Sequence, residues 1–432
     1  MFKTLRNAWK VQDIRKKIIF TFLIMVIYRI GNAIPVPYIN VDTLQEYFNT
    51  LSNTVLGLYN VMSGGSFSSA TVFALSIQPY INASIIIQLL CIAIPALERL
   101  AKDEGEEGKK KIASITRYST VGIAVLQGWA YYVLLNNNNL LTTEGDGVWA
   151  AIIIIATFAA GSALLMWLGE QITEFGIGNG ISVILFVSII SRLPNTILSA
   201  ISAISANPSV WWVYALMLVG AIAILVLIVL VNNAERRIPV QYAKRVVGRK
   251  VYGGQATHLP MKVNMSGVLP VIFASSIASL PATIAAFFAQ PTEGSFWSGL
   301  LSIFDTSSWF YPILYFVLIV FFSYFYSTIQ FNPVEVANNL QKNGGYIPGF
   351  RPGKPTADFI NKVLTKITLF GAIYLAIIAI TPQIISLCSS TAAATGISVG
   401  GTSLIIVVGV ALETVQSLEN QMLMRHYKGF LE

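Results

Sequence analysis

Residues 57–97 read GLYNVMSGGSFSSATVFALSIQPYINASIIIQLLCIAIPAL, and they do not belong to one ordinary helix. The piece from Gly57 to Ala70 is small, weakly apolar and broken by Gly64, Gly65 and a run of serines. It is too short and too interrupted to cross a hydrocarbon core of ~30 Å. The piece from Thr71 to Ala96 is uncharged and long enough to cross. A broken segment at membrane depth is tolerated only inside protein or beside a water-filled cavity, because lipid leaves its N–H and C=O groups unsatisfied. The other apolar segments should therefore enclose a cavity around residues 57–70.

Those segments recur along the whole chain. Of 432 residues 55% are apolar and only 11% charged, against about a quarter charged in soluble domains. The spacing predicts an all-α integral membrane protein with ten spans: 18–37, 71–96, 115–135, 150–169, 181–200, 211–232, 266–289, 310–330, 364–385 and 401–417. The basic segment Met1–Lys17 runs directly into the first span, so no cleavable signal peptide is expected. A net charge of +8 invites a nucleic-acid partner, but the cations follow topology. All 28 Lys and Arg except Arg29 and Arg192 fall in the two terminal segments, in the alternate connections 97–114, 233–265 and 331–363, or at span ends beside them. The opposite connections carry Asp42, Glu46, Glu144, Asp146, Glu293 and Asp305. The positive-inside rule then places both termini in the cytoplasm.

Two basic connections are far longer than a turn needs. Residues 233–265 hold seven cations against Glu235, and 331–363 hold Lys342, Arg351, Lys354 and Lys362 among glycines and prolines. The chain divides near 200–210 into an N-terminal half, 1–205, and a C-terminal half, 206–432, of five spans each. An odd number of spans per half inverts the second half relative to the first.

Little in the sequence suggests catalysis. His258 and His426 are the only histidines, no acidic or thiol cluster has metal spacing, and GIGNG (176–180) follows a span rather than a strand. No cofactor is expected. Cys91 and Cys388 fall toward opposite ends of their spans, which disfavours a bridge. Ion-coupled carriers keep ionisable groups at mid-membrane, and the spans here are nearly free of them. Arg29 reads as snorkelling outward, while Glu413 and Lys366 sit near span ends. What remains is polar and uncharged: Gln78, Asn82, Ser84 and Gln88 on the second span, and Asn264, Ser266, Ser275, Ser276 and Ser279 around the seventh. These residues are either interhelical glue, worth ~0.6–2 kcal/mol each, or a seam between helices that close and part. Ile81 and Ile85, four apart, share a helix face.

Long stretches resemble the SecY family, the channel-forming subunits of the bacterial Sec protein translocase. They are SIQPYINASIIIQLL (76–90), MWLGEQITEFGIGNGIS (166–182), ERRIPVQYAKR (235–245), HLPMKVNMSGVLPVIFASS (258–276), GGYIPGFRPGKPTADFI (344–360) and GGTSLIIVVGVALET (400–414). Ser76 departs from the family's usual glycine. The resemblance implies an hourglass of two five-span halves around a central pore, with a re-entrant plug at about 57–70 that includes Gly64, Gly65, Ser66, Phe67, Ser68 and Ser69. It implies a constriction ring of Ile81, Ile85, Ile181, Leu185, Ile272 and Ile406, Leu185 standing where the family mostly has isoleucine. The second and seventh spans would form a lateral gate into lipid, with Asn82, Gln88, Asn264, Ser275, Ser276 and Ser279 along it. The implied function is the central channel of the Sec translocon, passing unfolded secretory chains across the plasma membrane and releasing membrane segments sideways.

The same resemblance makes the basic loops docking sites for the SecA ATPase and the ribosome, with Arg351 foremost and Arg245 and Arg249 next. The implied companions are the SecE and SecG subunits, signal peptides, translocating polypeptides and membrane lipids. An inverted-repeat secondary transporter is the alternative, and an intramembrane enzyme a third reading that lacks a mid-span base.

Overall fold

The second span departs furthest from expectation. In the computed structural model, which describes residues 6, 8–50, 55–102, 105–142, 147–242, 245–247, 250–252, 256–287, 308–388 and 400–428, its helix runs only from Gln78 to Ala93. Pro79 occupies the first turn, where a missing N–H costs nothing. Ser76, just before it, has a left-handed φ of +53°, a conformation glycine adopts more cheaply. Residues 71–77 are turns rather than helix, and all but Val72 are buried in protein. Val72 N–H donates to the Ile34 carbonyl at 3.0 Å, and Val36 N–H to the Ala70 carbonyl at 2.9 Å. Gly31 and Gly161 make room, since a methyl on either would overlap Phe73 or the Val72 carbonyl. Small residues here replace the lipid that the unpaired backbone could not face.

The helices are α1 (Gln12–Gly31), α2 (Val41–Thr50), α3 (Val55–Met62), α4 (Gln78–Ala93), α5 (Pro95–Lys102), α6 (Gly105–Asn137), α7 (Val148–Phe175), α8 (Gly180–Ile190), α9 (Leu193–Ala206), α10 (Trp211–Asn233), α11 (Leu269–Phe287), α12 (Phe310–Gln330), α13 (Pro333–Lys342), α14 (Lys354–Cys388) and α15 (Gly400–Lys428). A helix stands at each of the ten expected spans, in a multi-pass membrane protein. Three begin or end well outside them: α6 starts at Gly105, α14 at Lys354, and α15 runs on to Lys428. Hydropathy marks only the part in lipid, and the helices continue into water on polar residues. The fifth span is broken at Ser191–Arg192 into α8 and α9, and α9 buries nothing.

Packing groups α1, α4, α6, α7 and α8 together, and α10, α11, α12, α14 and α15 together. The two groups meet where α8 packs on α15 and where α11 packs on α3, α4 and α6. One large apolar cluster crosses that junction, and a second, aromatic one lies at the acidic end around Phe48, Phe67, Tyr131 and Phe158.

The two long basic connections, read as docking loops, fold against each other. Strands β1 (Glu235–Tyr242), β4 (Ala256–Lys262) and β5 (Gly345–Tyr346) form an antiparallel sheet in the order β4-β1-β5, beside a hairpin of β2 (Arg245–Val247) and β3 (Lys250–Tyr252). Ile238, Val240, Met261, Ala337, Ile347, Ile360 and Leu364 form its own core with α13 and the polar start of α14. Val263 N–H donates to the Ala234 carbonyl, so Arg236, Ile238 and Val240 face the β1–β4 ladder and alternate residues face away. Pro239 and Pro260 both fall in the outward class. Neither breaks the ladder, and each removes a donor from an edge that could recruit another strand.

Candidate functional site

The aliphatic side chains assigned to a ring belong to one large apolar cluster. Ile81 and Ile85 on α4, Leu185 on α8, Ile272 on α11 and Ile406 on α15 are buried in the central cluster, and half-buried Ile181 packs against it. Above them on the basic side lies a cavity of about 410 Å³. Ile81, Ile181, Leu185 and Ile272 line it, together with Tyr80, Gln88, Arg117, Glu170, Glu174, Asn179 and Tyr326. Ile85 and Ile406 do not.

The GIGNG turn sets the aim of α8. Asn179 caps the helix by accepting from the Ile181 and Ser182 N–H groups at 3.1 and 3.4 Å, and Thr173 Oγ1 accepts from the Gly180 N–H at 2.9 Å. Gly180 lies so close to the Gly169 carbonyl that a Cβ would collide with it. The glycines permit a tight return between α7 and α8 that delivers Ile181 to the cavity wall. On that wall Arg117 Nε pairs with Glu170 Oε1 at 2.8 Å, joining α6 to α7. Sequence reading singled out neither, because the pairing depends on helix azimuth.

The residues expected to act as a plug divide into two parts. α3 packs between α8 and α11. The turn at Gly64 and Gly65 follows with φ +71° and +90°. Ser63 and Ser66 are buried, and Ser68 N–H donates to Asn60 Oδ1 at 3.0 Å. Phe67, however, sits away from the pore in the aromatic cluster, 4.5 Å from the Tyr131 ring and 5.2 Å from Phe48, and Tyr131 donates its hydroxyl to the Phe67 carbonyl. Ser69 accepts from Gln45 on α2. Phe67 and Ser69 are tied to the N-terminal helices, whereas α3 contacts α8 and α11.

The polar residues proposed for the gate behave unequally. Ser276 on α11 donates to Gln78 on α4 at 3.4 Å, and Gln78 donates to Met62 Sδ at 3.2 Å. Gln78 is 2% exposed, so one buried amide ties α3, α4 and α11. It was part of the uncharged polar stretch but not of the expected gate set. Asn264 lies off the seam: it donates to Asn232 Oδ1 at 2.9 Å and to the Gly267 carbonyl, because the chain there is finishing the sheet rather than starting α11. Gln88 donates to Ser84 one turn back, and Ser275 and Ser279 donate to carbonyls of their own helix. Asn82 is buried on α4.

Arg29, Glu413 and Lys366 are exposed. Arg351 is exposed too, on a turn between Gly349 (φ +88°) and Gly353 (φ +95°). Its carbonyl accepts from Thr356 Oγ1 at 2.8 Å, and Phe350 stacks on Phe359 at 4.1 Å. The backbone is held while the guanidinium projects. Arg245 opens β2, and Arg249 lies outside the described residues.

Comparison with known proteins places this geometry in context. The SecY family model matches residues 71–415. Protein translocase subunit SecY of Streptomyces coelicolor is 43% identical, with all of both chains covered. That of Thermotoga maritima is 40% identical, covering 100% of this chain and 98% of its own. Among solved structures, a protein-conducting channel superposes with a TM-score of 0.65 at 17% identity, covering 94% of this chain and 92% of its own. The Sec61 channel of a canine ribosome–channel complex superposes at 0.60 and 15% identity, with 94% and 92% covered. At such identities the structures speak for the fold alone.

Proposed function

The chain belongs to the SecY family and is a protein-conducting channel subunit, and from that premise we propose how its residues do the work. An unfolded chain enters the cavity on the basic side, passes the ring of Ile81, Ile85, Ile181, Leu185, Ile272 and Ile406, and leaves past α3. The observation that carries this reading is that Ile81, Ile181, Leu185 and Ile272, from α4, α8 and α11, line one 410 Å³ cavity, with Ile85 and Ile406 in the apolar cluster they share. A narrow apolar constriction dewets and so blocks ions, yet it binds no particular sequence and releases whatever passes. A polar ring would hold its substrate.

The seam between α4 and α11 is the sideways exit. Among the described residues the pair Gln78 to Ser276 links the two helices beside their apolar contacts, so a greasy helix that replaces it does so at modest cost. Polar pairs in a membrane average ~0.6 kcal/mol. Gln78→Leu should therefore raise export of a precursor with a weakened signal about threefold, measured against the same precursor with an intact signal. No rise would remove Gln78 from the gate.

The halves 1–205 and 206–432 would part about the connection at 207–210, and the packing groups favour this division. The basic loops and both termini would lie in the cytoplasm of a bacterium, the chain spanning its plasma membrane. The cytoplasmic sheet, with Arg351 at its rim, would receive the SecA motor and the ribosome, whose RNA attracts cations. SecE would clamp the two halves from outside, and SecG would complete the complex. The chain itself would be a passive conduit, driven by the partner ATPase, by synthesis and by the membrane potential. A transporter reading has no comparable support, since relatives matching the full length are translocase subunits.

The test is a stalled secretory chain offered to cysteines at Ile85 and Ile272. Both should crosslink to it. Crosslinking at neither, in a complex that still exports, would place the path elsewhere.

A further inference from the structure

Arg192 is the cation that the orientation rule leaves unexplained: it stands in a connection on the acidic side, where no other Lys or Arg is found. It occupies the break between α8 and α9. The turn at Gly64 and Gly65 is seated on this end of α8. A Cβ on Gly64 would lie 2.8 Å from the Ser188 carbonyl oxygen and 3.0 Å from Ser191 Oγ, and one on Gly65 would touch Arg192 Nε at 4.0 Å. The half-buried arginine therefore borders the glycine turn. Its Nη1 is buried with no hydrogen-bond partner, and it forms no ion pair, among the described residues.

A buried donor on a charged group that lacks an acceptor is costly, because water satisfied it before burial. The C-terminal carbonyls of α3 offer some attraction through space, but such an effect is weaker than a lost hydrogen bond to a charge. The balance favours exposure. We propose that Arg192 is a release element, a cation half-buried against the seated plug whose return to water favours the plug's departure.

The proposal rests on the reading of α3 and its glycine turn as the plug. Its consequence is a resting state held only marginally closed. A modest contribution from an entering signal sequence then suffices to shift the population, as a ligand shifts an equilibrium by its differential affinity for the two states. A plug seated on a fully satisfied surface would demand more.

The experiment uses Met62→Cys, at the buried end of α3, in a chain whose Cys91 and Cys388 are replaced by serine. The chain is reconstituted in vesicles, and labelling by a membrane-impermeant maleimide is followed with and without a synthetic signal peptide. In this parent the peptide should speed labelling; if it does not, the plug reading itself fails. Given that response, Arg192→Met should label about tenfold more slowly than the parent without peptide, and Arg192→Lys should restore the parent rate. Faster labelling of Arg192→Met would make the guanidinium a latch, and an unchanged rate would leave it without a role in gating; either result overturns the proposal.

Discussion

Replacing residues 55–65 with a short glycine–serine linker should raise the resting ion efflux of vesicles carrying this protein at least about tenfold, with the fold retained. The excised piece is α3 and its glycine turn, which pack between α8 and α11 and accept hydrogen bonds from Gln78 and from Tyr28, itself bonded to Ser188. The aliphatic ring below remains, but a ring of side chains dewets only while it is narrow, and thermal opening then goes unopposed. The boundary matters. Residues 66–77 must stay, because Val72 and Ala70 are hydrogen-bonded to Ile34 and Val36 in the segment after α1 and Phe67 fills the aromatic cluster. Phe67→Ala should instead cost about 3 kcal/mol of stability, as large-to-small changes in a core do, and appear as lower thermal stability rather than as leak. If the linker variant conducts no more than the parent, α3 is not the seal.

Arg351→Glu should reduce SecA-driven export about tenfold or more while leaving the amount of folded protein unchanged. Nothing in the fold depends on the side chain: it is exposed, while its backbone is fixed by the Thr356 hydroxyl, two left-handed glycines and the Phe350–Phe359 stack. A rigid tip with a free guanidinium suits bidentate recognition of a carboxylate or phosphate. Reversing its charge sets like charges against each other at a docking surface, which costs several kcal/mol. Arg351→Lys should fall between, since a point charge cannot reproduce the fork. Normal export by Arg351→Glu would remove this residue from the docking site.

How far the site could be read beforehand differs from part to part. The aliphatic residues could be named from residue type and motif position alone, and they lie in or against one apolar cluster; that they form a ring is the proposal. The plug was half legible. Glycine and serine marked a break, but the sequence could not say that Phe67 turns outward to Tyr131 while α3 turns inward. Asn264 shows the opposite failure: it looked like part of the seam by sequence proximity to α11, yet its partner, Asn232, comes from the end of α10. The two basic loops were visible as loops. Their sheet was not, because β1 and β5 lie about a hundred residues apart and pair only once α13 and α14 bring them together.

By itself the sequence indicated a membrane protein of ten spans, gave an expectation of which way it faces, and required that a broken segment be housed within it. Those follow from hydropathy, charge placement and the demand that backbone groups be satisfied, and all three act locally. Only the tertiary structure decided that a single glutamine, Gln78, joins α3, α4 and α11, and that Arg192 comes up to Gly65 with its Nη1 buried and without a partner among the described residues. Such contacts join residues up to about two hundred positions apart, and they turn on helix rotations of a fraction of a turn, which no local pattern specifies.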